Sequence, residues 1–207
     1  MFAATDTSDP VYTISRKPTF QSLTIKLHNR HQLSQFHYTT TAMINRLGLN
    51  TRVPYHFLFY SVVFGGSTFY SFIVSPIVFK KLPREEFSNL QSQVFPTYFI
   101  GQTVSPLILA LTTPLRGCPV TATLLALSSI SGALNYFWLL PACKTIKEER
   151  MKLVADKLDK DESGEFTEEY KKVSKQFGKY HGISSLFNLV SVVTLGVYGV
   201  LLTSRFK

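Results

Sequence analysis

The chain has 207 residues, 22 Lys and Arg against 13 Asp and Glu, and a net charge of +9. Its Lys and Arg are scattered rather than gathered on one segment, which argues against nucleic-acid binding and suits chain ends lying on anionic lipid. Once about 90 residues are given to apolar segments, the length leaves room for one membrane domain and no separate catalytic domain.

The first 53 residues read as a tail. After Asp9 no acid occurs until Glu85, while Arg16, Lys17, Lys26, Arg30, Arg46 and Arg52 stand among many Ser and Thr. Acid-poor, Arg-containing and hydroxyl-rich is the composition of an organelle transit peptide, and Gln32–Leu47 carries Leu33, Phe36, Met43 and Leu47 as a loose amphipathic face. Asp6 and Asp9 count against a typical presequence, so two readings stand side by side: a mitochondrial address, or a disordered tail that merely lacks acids. No apolar run of secretory-signal length precedes Pro54.

From residue 54 onward the pattern is that of a polytopic membrane domain. Tyr55–Phe79, Val94–Leu115, Val120–Leu140 and Ile183–Leu202 contain no Asp, Glu, Lys or Arg. At about 1.5 Å per helical residue each spans a hydrocarbon core of about 30 Å. The expected fold is all-α: a four-helix transmembrane bundle with both chain ends on one face. Small residues four apart, Ser67/Ser71/Ser75, Thr97/Gly101/Ser105 and Ser128/Gly132, predict close helix packing within the bundle or against a partner. Pro76, Pro96, Pro106 and Pro114 predict bends or ends in the first two spans, and Trp138-Leu-Leu-Pro141 an aromatic anchor followed by a helix stop.

Between the first two spans, Pro83-Arg84-Glu85-Glu86 reads as a helix start leading, through Phe87, Leu90 and Val94, into an amphipathic interfacial helix. The loop Lys144–Lys179 reads as two polar helices, 144–157 and 166–179, joined by an acidic turn at Asp159–Gly164. Within about 15 residues of the span ends, twelve Lys and Arg lie on the loop face and five on the terminal face, which places the loops on the cytosolic or matrix side.

Chemistry is sparse. Asp159, Asp161, Ser163 and Gly164 occupy EF-hand positions, but Tyr170 stands where the bidentate Glu belongs, so a solvated helix–turn–helix is the stronger reading. Gln102, Asn135 and Asn188 are the candidate intramembrane polar cluster, and His56 and His181 are candidate interfacial residues. Cys118 and Cys143 bracket the third span, too far apart for a disulfide and able to give only two-ligand zinc sites with the nearby His. No phosphate loop, nucleophile elbow or HExxH is present, so no catalytic residue, metal or cofactor is expected.

Phe64-Gly-Gly-Ser67, Leu90-Gln-Ser-Gln-Val-Phe-Pro96-Thr-Tyr-Phe99, Asn135-Tyr-Phe-Trp138-Leu-Leu-Pro141 and Tyr180-His-Gly182-Ile-Ser-Ser-Leu-Phe-Asn188 resemble strings of the transmembrane protein 205 family. The resemblance runs from about residue 56 to 202. It implies a four-helix integral membrane protein with no catalytic residues to carry over. Two functions follow as expectations: a non-enzymatic scaffold, assembly or trafficking factor, or a carrier for an uncharged or amphipathic solute lined by the three amides. Partners are the bilayer and a membrane protein or second copy; the membrane is mitochondrial, or alternatively endoplasmic reticulum or plasma membrane.

Overall fold

The computed structural model describes residues 20–204, and the side chains from Gln32 onward except Phe36. The chain divides into two compact units, Met1–Asn50 and Thr51–Lys207. In the first, α1 covers Phe20–Arg46, so helix replaces half of the tail expected to be disordered. It ends in a Schellman motif: Gly48 at φ +64 lets its own N–H reach Asn45 O and that of Leu49 reach Ile44 O. All its described side chains are exposed, Leu33 and Met43 among them, so the loose amphipathic face buries nothing within this unit.

The second unit holds four helices long and apolar enough to cross a membrane, Val53–Lys81, Arg84–Thr112, Pro119–Ala155 and Glu168–Thr203. The expected bundle is therefore present, and the protein is an integral membrane protein. The first span consists of α2 (Val53–Phe69), a π turn at Tyr70–Val74 and α3 (Ser75–Lys81). The second is α4 (Arg84–Thr112), whose first turn carries Glu85 and Glu86 as expected. The amphipathic lead-in is continuous with this span rather than a separate element.

The third crossing consists of α5 (Pro119–Leu134), a π turn at Asn135–Leu139 and α6 (Leu140–Ala155). Pro141 therefore does not stop the helix. A proline lacks the N–H for the carbonyl four residues back, and its ring crowds that carbonyl. In both broken spans a five-residue π turn lies just before the proline, with Ser75 N–H bonding Tyr70 O and Leu140 N–H bonding Asn135 O. Pro96 and Pro106 lie inside α4, which stays unbroken for 29 residues. Pro114 falls past its end, and Thr113 before it is extended, as the residue preceding proline prefers.

Helix α7 runs from Glu168 to Thr203, so the polar loop helices are extensions of the third and fourth spans. They are not merely solvated: Ile146, Leu153 and Val173 form a small core with Tyr170, Phe177 and Tyr180 beside it. Helix α6 closes in another Schellman motif, with Lys157 at φ 57 in the position glycine usually holds.

The main core lies among α2, α4, α5 and α7, with Tyr60, Leu109, Leu125, Leu195, Tyr198 and Leu202 at its centre. Two glycines set its approach distances. A Cβ on Gly132 would stand 2.8 Å from the backbone of Gln102 and Thr103, so α5 crosses α4 at a separation only glycine allows. A Cβ on Gly199 would collide with the ring of Tyr60. The stripe Thr97/Gly101/Ser105 is different: Thr97 and Gly101 are exposed and Ser105 is half-buried. The packed face of α4 is Phe99, Gln102, Pro106 and Leu109, turned away from that stripe. Beyond His56 and Tyr60, no residue of the first span is buried.

Candidate functional site

Among the described residues no Asp, Glu, Lys or Arg is buried in the bundle interior, and its bonded polar groups fall into three layers. Nearest the loop face, Tyr70 donates to Gln91 Oε1 at 2.6 Å, and Gln91 Nε2 to Ser75 Oγ at 3.3 Å. One turn deeper, Asn188 is surrounded. Its Oδ1 accepts from Tyr98 and from Gln102 Nε2, both at 2.8 Å, and its Nδ2 donates to Ser71 Oγ at 3.0 Å. Ser71 Oγ lies 2.9 Å from the Tyr98 hydroxyl, which closes a ring. With Ser71 donating to Tyr98, each member of the ring gives one proton and takes one, an order in which the bonds polarise one another. Three spans are tied together here.

The middle layer is built from small hydroxyls. Ser128 and Ser191 are fully buried with their Oγ atoms 2.8 Å apart, joining α5 to α7. Ser129 donates to Thr103 O at 2.8 Å across the Gly132 contact.

On the terminal side, His56, near the start of the first span, is buried between α2, α4 and α7. Its Nδ1 lies 2.8 Å from Thr112 Oγ1 and its Nε2 2.5 Å from the Tyr198 hydroxyl. Thr112 also donates to Ile108 O at 2.8 Å, so the imidazole bridges the end of α4 to α7. Tyr198 Oη is also 3.0 Å from Thr113 Oγ1, and Tyr60 donates to Leu195 O at 3.2 Å. His181 is exposed and stacks on Phe177 with centroids 5.8 Å apart.

The structure thus joins Gln102 directly to Asn188. Asn135 is another matter: it is fully buried at the start of the second π turn, and neither its Nδ2 nor its Oδ1 has a partner. Gln102 Oε1 is also unpaired, and Pro106 has no N–H to offer the Gln102 carbonyl. Sequence reading missed Tyr98, Ser71 and Tyr198, the hydroxyls that complete the layers. A signal was present in part, since Ser71 stood in a stripe read only as small-residue packing.

The acidic turn is closed by its own side chains. Asp161 Oδ1 accepts from Ser163 Oγ at 2.6 Å, Ser163 N at 2.9 Å and Glu165 N at 3.1 Å. The Ser163 hydroxyl, helped by these amides, holds the Asp161 carboxyl below its ordinary value. Gly164 takes φ +83, and Thr167 caps α7. Among the described residues no three His, Cys, Asp or Glu gather as a metal site, and Cys118 and Cys143 are free thiols.

The sequence model of a family described as a domain of unknown function (DUF4149) matches residues 58–152, from within the first span to near the end of the third. The xanthocillin biosynthesis cluster protein D of Aspergillus fumigatus is 40% identical over 62 residues, covering 30% of this chain and 40% of that protein. The chain therefore matches well under half the length of this relative. No solved structure matches the chain.

Proposed function

We propose that the protein is a non-enzymatic membrane scaffold, assembly or trafficking factor, whose bundle presents a helix face to another membrane protein or to a second copy. One observation carries the reading: the interior amides and hydroxyls bond to one another across helices, with Asn188 holding Tyr98, Gln102 and Ser71 at once. Polar groups spent in this way act as glue between spans. Thr97 and Gly101 remain exposed on a side of α4 that the bundle leaves uncovered, which is where a further helix could approach closely. The likeness of local strings to the transmembrane protein 205 family agrees with a non-enzymatic role. The basic tail supports a mitochondrial membrane, with endoplasmic reticulum or plasma membrane as the alternative.

Affinity purification from native membranes, with the organelle identified in the same preparation, tests this reading. The native chain should retain a defined membrane partner or a second copy. Gly101→Leu should lose it while keeping its thermal stability. Equal recovery of partners by both chains would contradict the assignment of that face.

A second reading, a carrier for an uncharged or amphipathic solute, is favoured by the unpaired atoms of Asn135 and Gln102. The matched protein of Aspergillus fumigatus bears the name of a biosynthesis cluster, a setting in which small products need handling. Uptake of such a product into vesicles containing the purified chain, lost in Asn135→Leu, would favour it.

A further inference from the structure

On the loop face, α4, α6 and α7 leave between them a cleft of about 390 Å³ lined by Arg84, Arg150, Phe166, Tyr170, Lys171 and Ser174. Three cations from three helices meet there, with two hydroxyls and no carboxylate in the lining. Glu168 pairs with Lys171 at 2.9 Å on the solvent side, and Glu85 and Glu86 follow Arg84 in the first turn of α4 without lining the cleft.

The guanidinium of Arg150 is held in place, its Cζ lying 5.0 Å from the centroid of the Phe177 ring. Phe166 and Tyr170 stack at 4.7 Å to form an aromatic wall, and Lys160 Nζ sits 5.6 Å from the Phe166 centroid. Arg84 opens α4 about ten residues before the apolar span that begins at Val94, some 15 Å along the helix and so on the water side of the headgroup layer. Lys147, reaching Ser92 Oγ at 3.2 Å on α4, adds a cation between the cleft and the bilayer.

Two guanidiniums, an ammonium and two hydroxyls around an open cleft form a donor set matched to the oxygens of a phosphate group. We propose that this cleft binds a phosphate group, carried either by an anionic lipid headgroup or by a soluble phosphorylated molecule. Arg84 and Arg150 supply paired donors, Lys171 a point charge, and Tyr170 and Ser174 neutral hydrogen bonds. Basic pockets between spans on the side rich in Lys and Arg have the chemistry of headgroup sites. The site is independent of the bundle interior and of the outward face of α4.

The test uses the full chain in detergent micelles doped with phosphatidic acid or with phosphatidylcholine of the same acyl chains, bound lipid being counted by native mass spectrometry. Phosphatidic acid should bind at least about tenfold tighter, and Arg84→Gln with Arg150→Gln should remove that margin. Lys172→Gln with Lys175→Gln, which deletes two exposed charges outside the cleft, should leave it unchanged. Because Arg150 also packs on Phe177, Arg84→Gln with Lys171→Gln provides a second pair that leaves that packing in place. Inorganic phosphate separates the sources. If it binds with the same dependence on Arg84 while phosphatidic acid does not, the occupant is a soluble phosphorylated molecule. The proposal fails if neither probe is preferred over phosphatidylcholine, or if the Lys172/Lys175 variant loses as much as the Arg84 variants.

Discussion

Asn188 and Asn135 are the same residue type in neighbouring spans of one bundle, and they live under opposite conditions. Asn188 is half-buried and bonded to Ser71, Tyr98 and Gln102. Asn135 is fully buried with both amide atoms unpaired. Around Asn188 the polar groups belong to three spans and close into a ring, so each one fixes its neighbours. Around Asn135 the helix itself is altered, with a π turn beginning at the residue. π turns and unpaired buried groups concentrate where a protein serves something other than stability. The first region explains how the spans hold together, and the second is where packing is not the whole account.

The largest disturbance should come from the contact joining α4 to α5. Gly132→Leu would force side-chain atoms into the backbone of Gln102 and Thr103. A loss of about 3 kcal/mol or more in detergent unfolding is expected, since the opposing atoms are backbone and cannot rotate away. Next, Asn188→Leu breaks the ring with Tyr98 and Ser71 and leaves the Gln102 Nε2 donor buried without its acceptor. It should cost about 1–3 kcal/mol, and combining it with Tyr98→Phe should cost less than the two changes added. Asn135→Leu should run the other way. Replacing an unpaired buried amide by an apolar group of similar volume should be neutral or stabilising by about 1 kcal/mol. A loss of stability there would mean that the amide holds a partner, and the contrast between the two Asn would collapse.

The smallest effect belongs to the acidic turn. The Asp161 carboxyl is held below its ordinary value, chiefly by the Ser163 hydroxyl. A depressed carboxyl stabilises fully above the ordinary aspartate range and loses that contribution as pH falls through its lowered value. NMR titration should therefore show the Ser163 and Glu165 amides shifting only below the ordinary aspartate range, with Asp161→Asn removing the transition.

The spans were legible because membrane crossing segregates charge over a length set by the bilayer, a pattern local in sequence. The start of α4 at Pro83-Arg84-Glu85 was legible for the same reason, since a helix terminus is decided by a few adjacent residues. The continuity of α6 past Pro141 was not legible. A proline reads as a stop, and only the preceding π turn lets the helix absorb it. Whether the small-residue stripe of α4 packs within the bundle or toward a partner was not legible, because spacing alone does not say which side meets a neighbour. The pairing of Gln102 with Asn188 could be guessed from residue type, whereas the contributions of Tyr98 and Ser71 depend on how three spans are rotated, which no single segment encodes.

The central claim is that the polar interior joins spans and does not line an aqueous path. Thiol accessibility in sealed vesicles addresses it directly, in a chain with Cys118→Ser and Cys143→Ser and one new cysteine at a time. Ser163→Cys in the acidic turn should react with a membrane-impermeant maleimide from one side only, which reports the orientation. Ser128→Cys and Asn135→Cys should stay unreacted from both sides until the protein is denatured. Rapid labelling of either buried position in the folded protein, from either side, would contradict the account and establish a water-filled route through the bundle.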